Sequence, residues 1–324
     1  MEKVRQKLFL FFLMLTLAVA GCVSSPEALF EPGWTHYKDI TLARDLSFDQ
    51  SGCLWAVGYR GVVMLDPRTG SLVRYTAEDG LSRTAAWCVE VAPDGRIWVG
   101  LRRAGACSFD GEEWASYAAG EGLVNDDISS ITACTDGTVW FGTKEGKGGL
   151  ERYDGSGWTI FTKENGLAER YVVDMAEAPD GKLWLATYSK GVGCFDGATW
   201  KFYTETDGLA SGWIQALDVA SDGTVWVATT SSGVSRFDGT RWKSFTVRDG
   251  LIDNTTFAIR THTDGSVWIG TPKGVSHFDG VNWISYTTVD GLVHNNVEQI
   301  SIAPDGTVCF VTGLGISCLK LEGE

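Results

Sequence analysis

Two kinds of side chain in this sequence could hold a ligand. The first is aromatic. Trp87 and Trp213 stand out of step with the other tryptophans, and Tyr171 and Phe257 occupy matching positions in other copies of an internal repeat. Flat rings of this type stack on sugar rings and on other planar or amphipathic groups. The second is basic. Arg60, Arg102, Arg103, Lys144, Lys147, Lys190 and Lys273 fall in equivalent short turns that contain a single acid, Glu145, and the adjoining links add Arg44, Arg83 and Arg170 but also Asp126, Asp127, Glu169 and Asp253. Guanidinium and ammonium groups pair with carboxylate or sulfate. Two plainer roles compete with these: packing between repeat units for the aromatics, and a solvated rim balanced by Glu78, Asp79, Glu121, Glu164, Asp207 and Asp290 for the bases.

Catalytic chemistry has thinner support. His294, followed by Asn295, Asn296 and Glu298, could supply a general acid–base pair, or could be an ordinary surface histidine. No glycine-rich phosphate cradle or nucleophile elbow is present, because the glycines fall at turns. The many Asp-Gly pairs lack the alternating oxygen ligands of a calcium loop, and their turn role accounts for them. No residue is therefore assigned to catalysis or to a metal, and no cofactor is expected.

These side chains must be carried by the repeat. Trp55, Trp98, Trp140, Trp184, Trp226 and Trp268 are spaced 43, 42, 44, 42 and 42 residues apart, and Trp114, Trp158, Trp200, Trp242 and Trp283 keep nearly the same interval. Each unit holds four short runs rich in Val, Ile, Trp, Tyr, Phe and Thr, separated by Asp-Gly or other glycine-containing turns. A period in the low forties built this way is that of a β-propeller blade. The first Asp-Gly of each unit recurs from Asp94-Gly95 to Asp305-Gly306, with Ser51-Gly52 as a degenerate copy, which predicts seven blades. The last unit lacks its fourth run. Trp34-Thr35-His36-Tyr37 matches that run, so the N-terminal strand is expected to complete the last blade and close the ring.

The repeat resembles the two-component regulator propeller repeat, whose pattern reads Asp-Gly-x-Leu-Trp-Ile-Gly-Thr followed by Gly-Leu-x-Arg-Phe-Asp. The resemblance implies an all-β, seven-bladed propeller of four-stranded antiparallel blades. It also implies a sensing role, since such repeats usually form the periplasmic half of a histidine kinase, often one responding to polysaccharide fragments. No kinase, DNA-binding region or internal span follows the repeats, so a separate envelope protein is expected to relay any signal. With a seven-bladed streptogramin lyase that uses a His–Glu pair, the chain shares only the coarse architecture.

Residues 1–21 read as a lipoprotein signal peptide. Lys3, Arg5 and Lys7 precede the apolar run Leu8–Ala18, which is too short for a membrane-spanning helix. Val19-Ala20-Gly21-Cys22 resembles a lipobox, which makes Cys22 the expected lipidation site. Residues 22–33 form a tether and 34–324 the propeller. The formal charge of −14 would fall to −16 on removal of the leader. So acidic a chain is a poor match for nucleic acid or an anionic membrane surface, and contact with the membrane is expected through the lipid alone. Cys309 and Cys318 flank a hairpin centred between Gly313 and Leu314, which sets them opposite each other. They could form a disulfide in an exported protein, or pack as two buried thiols.

The sequence thus points to a lipid-anchored, extracytoplasmic binding or sensing propeller. Its ligand is expected on the face where the links and basic turns meet, with a glycan or another anionic compound as the leading candidate. A protein-interaction platform in envelope assembly and a lyase-like enzyme centred on His294 are the alternatives.

Overall fold

A computed structural model describes residues 33–120, 122–144 and 149–321. Among these, seven sheets each contain four antiparallel strands, and successive sheets pack face to face around a central channel. Blade one spans Ala43–Tyr75, blade two Ala86–Tyr117, blade three Ile128–Phe161, blade four Val172–Tyr203, blade five Ile214–Phe245 and blade six Ala258–Tyr286. Blade seven takes three strands from Val297–Leu319 and its fourth from Trp34–Tyr37, with Trp34 opposite Leu319 and Tyr37 opposite Ile316. The expected closure is therefore present. The leader, Cys22 and the tether up to residue 32 lie outside the described residues, as do Glu121, Glu145 and Lys147.

The repeat tryptophans explain why the blades adhere. Each of the first six blades places the Trp of its second strand against an aromatic of its own outer strand, and against a side chain of the next blade. Between blades one and two, Trp55 lies 5.8 Å from Tyr75 and 6.0 Å from Phe109, centroid to centroid. Between blades four and five, Trp184 lies 5.6 Å from Tyr203 and 5.8 Å from Phe237. Offset and edge-on contacts at these distances add to the burial itself.

The short turns and the blade-to-blade links share one face, called the top here. Backbone hydrogen bonds join them: Arg102 N–H donates to Ala85, Lys144 N–H to Asp127, Tyr188 N–H to Tyr171 and Thr230 N–H to Trp213. The Asp-Gly turns between the first and second strands of each blade, such as Asp94-Gly95 and Asp222-Gly223, lie at the opposite, bottom face. Cys309 and Cys318 are cross-strand partners in blade seven, 4.0 Å apart at Cα, and their sulfurs are bonded.

Candidate functional site

The innermost strands shape the channel mouth through a repeated irregularity. In six blades the register slips at the second residue of the inner strand. A bulge leaves one residue unpaired and re-aims its side chain. The residues so placed are Arg44, Trp87, Ser129, Val173, Gln215 and Glu298, and Phe257 holds the equivalent position in blade six. Trp87, Ser129, Val173, Gln215 and Phe257 line the channel, a cavity of about 380 Å³.

Trp87 is the centre of a cationic cluster. The Arg44 guanidinium lies 5.1 Å from its ring, that of Arg102 5.7 Å and the Lys144 ammonium 3.9 Å. Tyr59 meets Trp87 edge-on at 6.0 Å, and its hydroxyl accepts a hydrogen bond from Arg44 at 2.9 Å. Arg83 donates to the Arg102 carbonyl oxygen at 3.4 Å. Glu298 lies 3.7 Å from Arg44 as a counter-charge. Cations at these distances are attracted to the ring by its quadrupole.

A second aromatic group occupies blades four and five. Tyr171 stacks on Tyr188 at 4.9 Å and 13°, and Trp213 meets Tyr188 edge-on at 5.0 Å. Trp213 is 50% exposed and Tyr188 44%, so this ladder faces solvent. Its Tyr188–Trp213 contact crosses from blade four to the link entering blade five at the surface.

Below the mouth the channel is acidic. Asp45, Glu90, Asp174 and Asp218 line it together with Arg260. Their carboxylates accept backbone N–H bonds from the next blade: Asp45 from Val89 at 3.0 Å, Asp174 from Leu217 at 3.1 Å and Asp218 from Thr261 at 2.7 Å. Burial pushes the Asp45 carboxyl up to about 6 and that of Glu90 up to about 8, and raises Asp174 as well. Burial also opposes the charge of Arg260, but the four carboxylates, Asp174 foremost, outweigh it and hold the guanidinium more firmly protonated. The channel walls therefore bind the blades to one another.

The remaining sequence-derived residues are scattered. Lys273 is paired with Asp253 at 2.9 Å. Arg60 and Lys190 are exposed in their own turns, and Arg103 is exposed with a φ of 56°. Arg170 adjoins Tyr171 in the link to blade four. His294 Nδ1 accepts the Asn296 N–H at 3.0 Å, and the Asn296 amide donates to Glu298 at 2.9 Å. Asparagine thus bridges the histidine and the glutamate. Among the described residues no group of three or more His, Cys, Asp or Glu could hold a metal ion.

Sequence reasoning missed Tyr59, Tyr188 and the channel carboxylates. The tyrosines lie in turns that differ from blade to blade, so periodicity does not mark them. The carboxylates fall in two columns of the inner strand, Asp45 with Asp174 and Glu90 with Asp218, and other residue types fill both columns in the remaining blades.

The sequence profile of the two-component regulator propeller matches residues 166–189, which run from the link before blade four through its second strand. The matched stretch is one copy of the unit that recurs along the chain. No curated protein matches the sequence significantly. Several solved propellers superpose well. One is the extracellular domain of a Bacteroides thetaiotaomicron protein assigned as a hybrid two-component system, BT3049. It has a TM-score of 0.75 and 18% identity, over 87% of this chain and 39% of that one. The chain thus spans about two fifths of that domain. Virginiamycin B lyase from Staphylococcus aureus has a TM-score of 0.71 and 15% identity, over 87% and 95% of the two chains. YCF48 bound to D1 peptide has a TM-score of 0.66 and 17% identity, over 92% and 99%. At such identities the likeness establishes the fold alone.

Proposed function

We propose that this chain is an exported sensing or binding propeller that takes an acidic glycan, or a related anionic ligand, at the top mouth of its channel. The observation that carries the reading is the convergence of Arg44, Arg102 and Lys144 on Trp87 in a chain of net charge −14. Three cations beside one aromatic face can pair with a carboxylate or sulfate while the ring stacks on a sugar. The Tyr171–Tyr188–Trp213 ladder offers further stacking to a longer ligand. Lipidation at Cys22 would anchor the domain at the periplasmic or cell-surface side of the envelope. Because the chain enters blade seven from the bottom, the top would face away from that membrane. The extracellular placement of the superposed sensor domain supports export.

The test is calorimetry with acidic and neutral oligosaccharides at two ionic strengths. Arg44→Ala, Arg102→Ala and Lys144→Ala should each weaken acidic-ligand binding, more at low salt than at high salt. Binding that ignores all three substitutions would reject the site. A protein-interaction role is the second reading, favoured by the exposed ladder and by the peptide complex of the superposed YCF48.

A further inference from the structure

The seam between blades seven and one departs from the other six. Every other seam holds the indole of the repeat tryptophan: Trp55, Trp98, Trp140, Trp184, Trp226 or Trp268. The pairing Ser301↔Cys309 corresponds to Asp218↔Trp226 in blade five, so Cys309 occupies the tryptophan position. Its sulfur is bonded to Cys318. The next-blade aromatic, represented by Phe109, Phe195, Phe237 and Phe278 elsewhere, is Leu65 at this seam. An indole and a benzene ring are thus replaced by a disulfide and a smaller aliphatic group.

A cavity of about 600 Å³ opens at this seam on the bottom face. Tyr37, Phe48, Leu54 and the Cys309–Cys318 bridge contribute its apolar wall. Cavities of about 470 and 600 Å³ also open at the four–five and two–three seams, but there Trp184 and Trp98 are part of the wall. The charged groups at the rim are paired with one another, Lys320 with Asp305 and Arg68 with Asp66, both at 3.2 Å. An apolar wall and an internally neutralised rim favour a neutral ring over an ion.

We propose that this pocket is a second binding site, for a neutral planar aromatic group the size of an indole. The bound ring would take the place that the repeat gives to a tryptophan in the other six seams. The site is at the bottom face, and the assignment does not depend on the top-face reading.

Indole itself is the probe, titrated by calorimetry into the full chain. Saturable binding of one equivalent is expected. Cys309→Trp combined with Cys318→Ala restores the repeat residue and should weaken indole binding at least tenfold. Thr35→Trp, on the pocket wall, should do the same without touching the disulfide, so misfolding of the first variant would leave the question answerable. Trp87→Ala and Trp213→Ala should leave indole binding unchanged. The assignment is overturned by an absence of saturable binding, or by binding lost in Trp213→Ala and retained in both seam variants.

Discussion

The Asp174 carboxylate accepts the backbone N–H of Leu217, 43 residues away in the next blade, at 3.1 Å, while its other oxygen accepts the N–H of Met175 at 2.9 Å. One side chain thereby ties two blades together at the channel wall. Asp45 repeats the arrangement with Leu46 and Val89. Replacing Asp174 by Ala should leave two inner-strand donors without their partner and cost about 1–3 kcal/mol. Asp174→Asn, which keeps one acceptor, should cost less. Urea midpoints at constant slope would measure both, and equal effects of Asn and Ala would contradict the suture.

The same wall makes stability depend on pH. Burial raises Glu90 to about 8 and Asp45 to about 6 in the folded chain, above ordinary carboxyl values. Between the unfolded and folded pKa values the native state holds more protons than the unfolded state, so stability falls as pH rises. This contribution is fully present below about pH 4 and is lost by about pH 8 to 9. Glu90→Gln, which cannot ionise, should flatten the upper half of that decline. Denaturation series at pH 5, 7 and 9 would show it, and a parallel decline in the variant would refute the assignment to Glu90.

Legibility in the sequence followed periodicity. The strand Trp34–Tyr37 was readable because its residue pattern recurs in five other outer strands, and the opposition of Cys309 and Cys318 followed from a hairpin of known centre. Trp87 and Trp213 were visible as departures from the beat. The bulges were not, since a bulge adds one residue of no fixed type: Arg, Trp, Ser, Val, Gln and Glu fill that position here. The sutures were hidden because the column of Asp45 and Asp174 holds Cys88, Ser130 and Ala216 in other blades. Only the register aligns them.

Trp213 and Trp268 should respond oppositely to truncation. Trp213 is 50% exposed, whereas Trp268 is fully buried at a seam. Trp213→Ala should change stability by no more than about 0.5 kcal/mol, as for other surface sites. If the ladder holds ligand, the same change should weaken binding by about 1–3 kcal/mol. Trp268→Ala should destabilise by about 3–5 kcal/mol. Paired melting and calorimetry would separate the two effects, and a large loss of stability in Trp213→Ala would return that residue to a packing role.

Ring closure rests on a strand drawn from the far end of the chain. Trp34 is 4% exposed and packs against Tyr286 at 6.2 Å and Phe310 at 5.9 Å, while His36 contacts Ser317 at 3.1 Å. Deleting residues 34–39 would remove this packing and uncover the Gly315–Leu319 strand along its full length. Loss of the buried indole alone should cost about 3–5 kcal/mol. The uncovered edge should also promote pairing between copies. Melting temperature and sedimentation at several concentrations test the two consequences separately. A truncated chain that stays monomeric with an unchanged melting temperature would show that the first six blades and three strands close without it.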